Sequence, residues 1–251
     1  MSKNAYIFGR NAVIEALNSS QVVEKVFISF RSQGSAINEI YTIAKKFKIP
    51  VVKYDAGKFR ELEQKAGADS SRSQGVVALK EIVEDTPLDD LFDMAFGKSE
   101  YPVIVALDGI EDPQNLGAIA RSVEASGAAG MVLTTKFSAR VTPSAVKAST
   151  GALGMVPISK VETLEPAIDA AKKAGYKVIG TDMKAKKLYT DFDYNFPVML
   201  VIGSESKGIS LFAREACDEI IKINMPGKIE SLNASVSTGI ILFEIIRKRL
   251  L

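Results

Sequence analysis

The second half of the sequence alternates short apolar segments with helical ones, and this alternation restricts the fold more than any other feature. Beyond Tyr101, six segments read as largely apolar strands: PVIVALD, GMVLTT, MVPIS, YKVIGTD, VMLVIG and EIIKINM. Helical segments lie between most of them. Apolar strands joined by helical crossovers are typical of a parallel sheet covered by helices on both faces. The sequence therefore predicts an α/β unit over residues 101–251.

The first of these strands leads into a helix with the sequence DPQNLGAIARSVEASG. Asp112 and Pro113 predict the start of the helix, because an acidic cap and a proline in the first turn are favoured there. Gly127 predicts its end. The apolar residues of the helix recur at the spacing of one buried stripe: Leu116, Ile119, Ala120 and Val123.

Arg121 and Asn115 are two residues that a purely structural helix does not require. At about 100° per residue, Arg121 lies almost opposite the buried stripe. Asn115 lies in the first turn, at the carboxyl end of the preceding strand, where ligands bind open α/β sheets. A solvated arginine and a turn asparagine are the simpler interpretation of these two residues taken alone.

A second stretch, VMLVIGSESKGIS, joins a buried strand to a glycine-containing turn from Gly203 to Gly208. Glycine allows the backbone to approach a ligand closely. The turn matches neither the dinucleotide-binding pattern G-x-G-x-x-G nor the Walker loop. A ligand-binding loop and an ordinary strand-to-helix turn with Glu205 exposed both fit these residues.

The third stretch, IKINMPGKIESLNASVSTGIILFEIIRKRLL, joins a strand to the last helix through a Met-Pro-Gly turn. Ser231 and Asn233 precede this helix, and capping explains one of them. The polar cluster ESLNAS is denser than a cap requires. The predicted core stripe of the helix consists of Val236, Ile240, Phe243 and Ile246.

Two residue counts exclude several kinds of catalytic site. The chain of 251 residues has one cysteine, Cys217, and no histidine. A disulfide within the chain, a Ser-His-Asp triad, a His-assisted thiol and His-bearing or all-Cys zinc sites are therefore excluded, and we expect no metal. The net charge is only +2, so a nucleic-acid partner has to be met by local basic patches.

The sequence contains no segment typical of a secretory leader or a membrane anchor. MSKNAYIFGRNAVIEALNSS lacks a long apolar core. No apolar run approaches the roughly 20 residues of a membrane span. The single cysteine fits a reducing compartment. We therefore expect a cytoplasmic protein with no membrane partner.

The residues before position 84 predict a separate unit. FGRNAVIEALNS and SAINEIYTIAKKFKI have the apolar spacing of helices, KVFIS alternates like a strand, and VVKY, GKFRELEQKAG and GVVALKE predict a strand, a helix and a strand. Alternating helices and strands predict a small α/β sandwich over residues 1–83. The acidic residues 84–100 are interpreted as a linker with room for one short helix.

The three stretches together resemble the motifs of one enzyme family. DPQNLGAIARSVEASG, VIGSESKGIS and INMPGKIESLNASVSTGIILFE are similar, in order and spacing, to the three motifs of the SpoU (TrmH-like) RNA ribose 2′-O-methyltransferases. This resemblance covers residues 101–251. The first unit, with IFGRNAVIEAL at its start and SQGVVALKE at its end, resembles the ribosomal-protein-like RNA-binding domain found before the catalytic domain in many members.

The resemblance implies a fold, a cofactor and partners. The fold is an α/β parallel sheet whose C-terminal segment makes a deep trefoil knot, a rare exception to unknotted topology. The cofactor is S-adenosylmethionine, held largely by backbone. The pattern is nearest to the bacterial enzymes that methylate a guanosine ribose in large-subunit ribosomal RNA, and transfer RNA stays open as a substrate. Members are usually homodimers whose active site is completed across the interface.

The resemblance also assigns residues by motif position. The implied catalytic residues come from all three motifs: Asn115, Arg121, Glu205, Ser231 and Asn233. The implied cofactor-binding residues come from the second and third: Gly203, Ile223, Met225 and Leu232.

The role of Arg121 in proton transfer is restricted by its chemistry. The family's arginine has been proposed as the base, but a guanidinium with a pKa above 12 stays protonated almost everywhere. We therefore expect Arg121 to contact the reacting ribose or its phosphate, and to accept the proton only if it is strongly desolvated. Asn115, Ser231 and Asn233 are expected to orient it and the substrate, and Glu205 to hold the cofactor or the last helix.

Two positions depart from the family pattern. Ser206 follows Glu205 where members often have glycine, which adds a side chain near the cofactor loop. Ser73 precedes Gln-Gly in the first unit where relatives often have histidine. The second departure weakens any inference about the particular RNA substrate.

RNA affinity is expected from basic residues that meet phosphates and from aromatic rings that stack on bases. Candidate phosphate contacts in the first unit are Arg10, Arg31, Lys45, Lys46, Lys48, Arg60 and Arg72, and those near the catalytic motifs are Lys136, Arg140 and Lys147. Tyr6, Phe8 and Phe30 are either stacking faces or core residues.

Two other classes of function are compatible with an α/β fold. The first is a non-catalytic RNA-binding or ribosome-assembly factor, and the intact set of implied catalytic residues argues against it. The second is a different α/β enzyme, such as a nucleotide-dependent one. The absence of the Walker and dinucleotide patterns argues against that alternative.

Overall fold

A computed structural model describes residues 4–18, 22–81, 85–136, 138–139, 141–229 and 231–250. The chain divides into two compact units, residues 1–83 with 140–146 and residues 84–139 with 147–251. The domain boundaries expected from the sequence, after residues 83 and 100, stay a prediction, and residues 82–84 lie outside the described ranges. No helix within those ranges is both long enough and apolar enough to cross a lipid bilayer.

Within the described residues, the first unit contains a four-stranded sheet. Its strands, in the spatial order β1-β4-β2-β3, are β1 (Asn4–Phe8), β2 (Val22–Ser29), β3 (Val51–Tyr54) and β4 (Val76–Glu81). β2 and β3 are parallel, whereas β4 is antiparallel to both β1 and β2. The ends of β1, β2 and β3 and the start of β4 therefore meet at one edge of the sheet.

Helices cover both faces of this sheet. α1 (Arg10–Asn18) and α2 (Ser35–Lys46) pack on one face, where Val13, Ile28 and Ile40 are fully buried. On the other face, α3 (Ala56–Lys65) buries Phe59 against Phe27, and α4 (Ser70–Ser73) follows it. The predicted α/β sandwich is confirmed. The sequence did not indicate β1 or the short α4, because a single turn and an N-terminal strand of five residues have weak periodicity.

The second unit contains a parallel sheet of seven strands among the described residues. In chain order they are β5 (Val103–Asp108), β6 (Gly130–Thr134), β7 (Ile158–Val161), β8 (Lys177–Thr181), β9 (Lys187–Leu188), β10 (Val198–Gly203) and β11 (Glu219–Lys222). Their spatial order is β7-β6-β5-β10-β8-β11-β9, and each pairing is parallel. The predicted parallel sheet is confirmed, with the two-residue β9 as an addition.

Among the described residues, six α-helices follow β4, and one of them lies in the segment predicted as a linker. They are α5 (Leu88–Lys98), α6 (Pro113–Ala125), α7 (Pro143–Ser149), α8 (Leu164–Lys173), α9 (Leu211–Ala216) and α10 (Ala234–Arg249). α5 belongs to the core of the second unit, since Leu91, Phe92 and Ala95 are buried there. Asp89 and Asp93 are exposed. The sequence analysis interpreted this segment as a linker because of its acidic residues, although its apolar residues have the spacing of a helix.

α6 forms as its sequence predicts. The Asp112 carboxylate accepts a hydrogen bond of 2.9 Å from the backbone nitrogen of Gln114, which caps the helix. The whole predicted stripe is buried: Leu116, Ile119, Ala120 and Val123. Gly127 has a φ of +69°, which suits the residue that follows the helix.

α10 buries a different side from the one predicted. Its buried side contains Ala234, Thr238, Ile241, Leu242 and Ile245. Val236 and Phe243 of the predicted stripe are 48% and 52% exposed. This helix is apolar around most of its circumference, so periodicity did not determine the buried side. Packing against α6 and β10 determines it instead.

The strand order places the C-terminal segment within an earlier loop. β11 lies between β8 and β9, although it follows both in the sequence. Residues 182–197, which join β8 to β10 through β9, therefore pass around β11. Arg249, near the end of α10, donates hydrogen bonds to the carbonyl oxygens of Tyr194 (2.9 Å) and Phe196 (3.0 Å) in this loop. This arrangement agrees with the predicted knot.

Candidate active site

A pocket of about 500 Å³ opens at the carboxyl ends of β8, β10 and β11. This is the sheet edge at which parallel α/β folds bind ligands. All four predicted cofactor-binding residues line the pocket, namely Gly203, Ile223, Met225 and Leu232. Glu205 and Ser231 line it as well, whereas Asn115, Arg121 and Asn233 lie outside the lining.

Gly203 lies in the pocket wall at a point where the backbone packs closely against the turn that follows β10. A methyl group on its Cα would lie 2.1 Å from the carbonyl carbon of Gly208 and 2.2 Å from the nitrogen of Ile209. The turn is closed by two backbone hydrogen bonds between Ser204 and Gly208, of 3.1 and 2.8 Å. The Asp108 carboxylate holds the end of the turn, accepting a bond of 2.7 Å from the nitrogen of Ser210. The glycine is therefore required by packing.

One residue from each predicted motif joins a single hydrogen-bonded cluster. The Nδ2 of Asn115 donates to Oε1 of Glu205 at 3.1 Å. The Nδ2 of Asn233 donates to Oδ1 of Asn115 at 2.9 Å and also to Oε1 of Glu205. The backbone nitrogen of Ala234 donates to the same carboxylate oxygen at 3.3 Å. Glu205 therefore ties the first turn of α6 to the start of α10.

Asn233 is also the cap of α10. Its Oδ1 accepts hydrogen bonds from the backbone nitrogens of Ser235 (2.9 Å) and Val236 (3.4 Å). The Glu205 carboxylate lies at the same helix N-terminus, where the helix dipole favours negative charge. Ser231 does not cap the helix but lies at the rim of the pocket. Capping thus accounts for Asn233 in part and for Ser231 not at all.

Arg121 is exposed on α6, as its position opposite the buried stripe predicts. It lies six residues beyond Asn115, which is about 9 Å along the helix axis and on another side of the helix. Its neighbour Ser122 faces α10, where a methyl group added to Gly239 would lie 3.5 Å from the Ser122 Oγ. The structure therefore does not bring Arg121 to the pocket of its own chain.

The structure adds pocket residues that sequence reasoning did not identify. Asp182 and Arg214 form an ion pair in the pocket wall, and Lys184 and Lys207 lie at its rim. Leu211 is 79% exposed there. Asp182 directly follows β8. Its sequence position could have identified it, because polar residues at the carboxyl ends of parallel strands often line ligand sites.

Comparison with known proteins assigns the chain to a family. Residues 102–243 match the SpoU rRNA Methylase family, and residues 6–84 match a domain described as RNA 2′-O ribose methyltransferase substrate binding. YacO of Bacillus subtilis (strain 168), named for the TrmH family of tRNA/rRNA methyltransferases, is 38% identical over 97% of this chain and 96% of its own length.

The chain belongs to the SpoU rRNA methylase family. Solved structures of SpoU proteins share its fold. AviRb from Streptomyces viridochromogenes, crystallised with S-adenosylmethionine, has a TM-score of 0.61 and 25% identity, covering 98% of this chain and 91% of that one. The S-adenosylmethionine-bound rRNA methyltransferase of Sinorhizobium meliloti has a TM-score of 0.62 and 26% identity, covering 99% and 88%.

The SpoU pocket of this chain suits S-adenosylmethionine, the cofactor of the family. Its volume lies within the roughly 300–1,000 Å³ of small-molecule sites. Ile223, Met225 and Leu232 supply an apolar wall, and Gly203 lines the pocket at the end of β10. Ser206 lines the pocket without a positive φ, so the serine is accommodated where glycine is frequent in the SpoU pattern.

Two further observations concern the side chains that could take part in site chemistry. No group of three or more His, Cys, Asp or Glu side chains there is arranged to hold a metal ion. Burial raises the pKa of the Cys217 thiol to about 12, so this thiol is protonated at neutral pH.

Arg140, one of the candidate phosphate contacts, lies outside the described residues.

Proposed function

We propose that this chain transfers the methyl group of S-adenosylmethionine to a ribose 2′-hydroxyl of RNA, most specifically to a guanosine of large-subunit ribosomal RNA. The observation that carries the proposal is the cluster of Asn115, Glu205 and Asn233 beside the pocket. Membership of the SpoU family and the substrate-binding match in the first unit support the reaction class. The guanosine rests on the sequence pattern alone.

The pocket residues hold the cofactor by shape and by backbone groups. When bound, S-adenosylmethionine supplies a methyl group on a sulfonium, which is already a good leaving group. The chain therefore has to align the attacking oxygen and exclude water. Ile223, Met225 and Leu232 provide the apolar contact, and the tight packing of Gly203 against Gly208 and Ile209 fixes the turn that lines the pocket.

The hydrogen-bonded cluster fixes the substrate side of the site. Glu205 has three donors, so its carboxylate cannot turn away, and it sets the orientation of both asparagine amides. Ser231 at the rim contacts the substrate. S-adenosylmethionine held by Gly203, Ile223, Met225 and Leu232 would supply its methyl group to the 2′-oxygen that the cluster orients and would leave as the neutral thioether, and the proton of that hydroxyl would be released to solvent.

Arg121 acts on RNA that is bound in the pocket of a second chain. It is exposed, and it lies on α6 beside α10, whose Val236 and Phe243 are also exposed. Exposed apolar residues on a helix beside a functional arginine are suited to an interface between copies. In such a homodimer the guanidinium reaches the ribose or its phosphate and binds it through its planar fork of donors.

The test of the proposed function is transfer of a labelled methyl group from S-adenosylmethionine to total RNA from a strain that lacks this gene. We expect label on a ribose of large-subunit ribosomal RNA, located by nucleoside mapping. Label on transfer RNA would select the runner-up substrate, which the name of the Bacillus subtilis relative also covers. Label on a base, or tight RNA binding without transfer, would contradict the proposed reaction.

A further inference from the structure

One edge of the first unit's sheet presents three arginines around an exposed aromatic ring. We call Arg10, Phe30, Arg31 and Arg72 the arginine surface. Gly9 and Arg10 follow β1, Phe30 and Arg31 follow β2, and Arg72 lies just before β4. Backbone hydrogen bonds join these segments, from Gly9 to Val76 at 3.1 Å and from Ser29 to Gly75 at 3.0 Å.

Phe30 has an exposed ring on a backbone that is held in place. The side chain is 64% exposed, whereas its backbone nitrogen donates a hydrogen bond of 2.9 Å to the carbonyl of Tyr54. The other two candidate stacking rings, Tyr6 and Phe8, pack against the core formed with α3. Phe30 is thus the ring of the three that is available to a partner.

The arginines are fixed by neutral groups, so their charges stay available. The Nε of Arg10 donates to the carbonyl oxygen of Gln74 at 3.1 Å. The Arg72 guanidinium lies 4.8 Å from the centre of the Phe8 ring. Among the described residues, neither they nor Arg31 forms an ion pair. The backbone nitrogen of Arg72 and, to a smaller extent, its charge contribute to the lowered pKa of Asp69, but none of the three guanidinium groups is held in an ion pair among these residues.

The carboxylates near this edge are already used by the backbone. Asp55 accepts hydrogen bonds from the nitrogens of Gly57 and Lys58, and Asp69 accepts them from Ser71 and Arg72. The bond from the Lys58 nitrogen is the largest cause that lowers the pKa of Asp55, and the bond from the Arg72 nitrogen is the largest cause that lowers the pKa of Asp69. Both carboxylates therefore serve as helix caps, while the guanidinium groups face solvent.

A buried network holds the turn that carries Arg72 and Gln74. Glu63 is 6% exposed and accepts a hydrogen bond from the buried Ser73 hydroxyl, which accepts one of 3.1 Å from the nitrogen of Gly75. Gln74 lies in the left-handed region, with a φ of +51°. Such a buried polar network fixes one backbone conformation. The surface is therefore formed before any partner binds.

We propose that the arginine surface binds an unpaired stretch of the RNA substrate, with the Phe30 ring stacked on one base and the guanidinium groups on the phosphates beside it. Arginine forks bind phosphate oxygens strongly. Aromatic rings stack on bases only where the bases are free of a duplex. This inference rests on the RNA substrate of the proposed function and adds the place and the single-stranded form of its recognition.

The test measures binding of a fluorescein-labelled 20-nucleotide oligouridylate to the full chain by anisotropy, with a 20-base-pair RNA duplex as comparison. We expect Phe30→Ala and Phe30→Leu to weaken single-strand binding by about 5- to 100-fold, because a stacked base contributes that much. Phe30→Tyr keeps the ring and retains affinity. Arg72→Ala weakens binding and lowers its salt dependence.

Lys25→Ala is the matched control, since Lys25 lies on β2 about 16 Å from Phe30 along the strand. It is expected to bind like the wild type. Wild-type affinity in both Phe30→Ala and Arg72→Ala would overturn the proposal, and so would a loss in Lys25→Ala equal to theirs. Melting temperatures show that each variant is folded.

Methyl transfer separates this proposal from the proposed function. Phe30→Ala is expected to raise KM for RNA while kcat at saturating RNA and the affinity for S-adenosylmethionine stay unchanged. If the wild type transfers no methyl group and Phe30→Ala loses RNA binding, the proposed function is refuted and the RNA-binding role of the arginine surface is supported. If the wild type transfers methyl groups normally and Phe30→Ala has unchanged RNA affinity and KM, the proposed function is supported and the RNA-binding role of the arginine surface is refuted.

Discussion

At the scale of single residues, the Glu205 carboxylate is the point at which three distant parts of the chain meet. Asn115 precedes it by 90 residues and Asn233 follows it by 28, yet both amides donate to it. The backbone nitrogen of Ala234 donates to the same oxygen, so one carboxylate oxygen joins α6, the turn after β10 and the start of α10.

Arg121 is the residue for which the proposed reaction makes the sharpest prediction. If its guanidinium places the ribose, Arg121→Ala lowers the rate of methyl transfer by at least about 10²-fold, since misplacement of a reactant costs that much. Arg121→Lys fails almost as badly, because lysine keeps the charge but loses the planar fork. Single-turnover transfer at saturating cofactor and RNA measures both.

The control for Arg121 is Lys173→Ala, which removes an exposed cation from α8 away from the pocket. It is expected to leave the rate unchanged. All these variants should keep their stability within about 0.5 kcal/mol, as surface substitutions do. Near-normal turnover in Arg121→Ala would show that this arginine is only a surface charge.

At the scale of helices and strands, the sequence predicted α6 fully and α10 only in part. α6 has apolar residues on one side and polar residues on the other, so its buried stripe followed from the spacing. α10 is apolar on two sides, and the choice between them depends on its packing against α6 and β10. Local sequence does not contain that information. The position of the pocket was predictable from the carboxyl ends of the predicted strands. The Asp182–Arg214 ion pair was not, because the two residues are distant in the sequence and meet only in the folded chain.

The turn after β10 predicts the effect of one methyl group. Gly203→Ala places a Cβ within 2.3 Å of backbone atoms of Gly208 and Ile209, and these cannot yield as a side chain does. We expect it to lower the free energy of unfolding by about 1–3 kcal/mol, typical of overpacking, and to weaken cofactor binding. Thermal unfolding and calorimetric titration with S-adenosylmethionine measure the two effects.

Gly97→Ala is the matched substitution for Gly203→Ala. Gly97 lies in α5, has a helical φ, and has no neighbouring atom within 4 Å of an added Cβ. Alanine there stabilises the helix by about 0.5–1 kcal/mol. Cofactor affinity that is equal in the two variants would show that the packed turn at Gly203 does not shape the cofactor pocket.

At the scale of the whole molecule, the proposed function requires two chains. We expect light scattering to give twice the 27.1 kDa of one chain. Phe243→Asp puts a charge on the exposed side of α10 and is expected to yield monomers that transfer no methyl group, because Arg121 then faces no second pocket. Met94→Asp changes a residue of similar exposure (46%) on α5 and should leave the dimer intact.

The wild type at the mass of a single chain under micromolar protein would contradict the dimer. So would a dimeric and active Phe243→Asp. Either result would also require another position for Arg121 in catalysis, since the pocket lining of its own chain does not include it.

The threading of β11 between β8 and β9 also has a consequence for the timing of synthesis. The pocket takes its walls from residues between Thr181 and Ile241, and the last of these are in α10, near the end of the chain. Chains fold from the N-terminus as the ribosome makes them. The first unit, which includes residues 140–146, is thus complete while residues 147–251 are still being translated. A growing chain that meets ribosomal RNA, even that of its own ribosome, has no complete pocket with which to modify it.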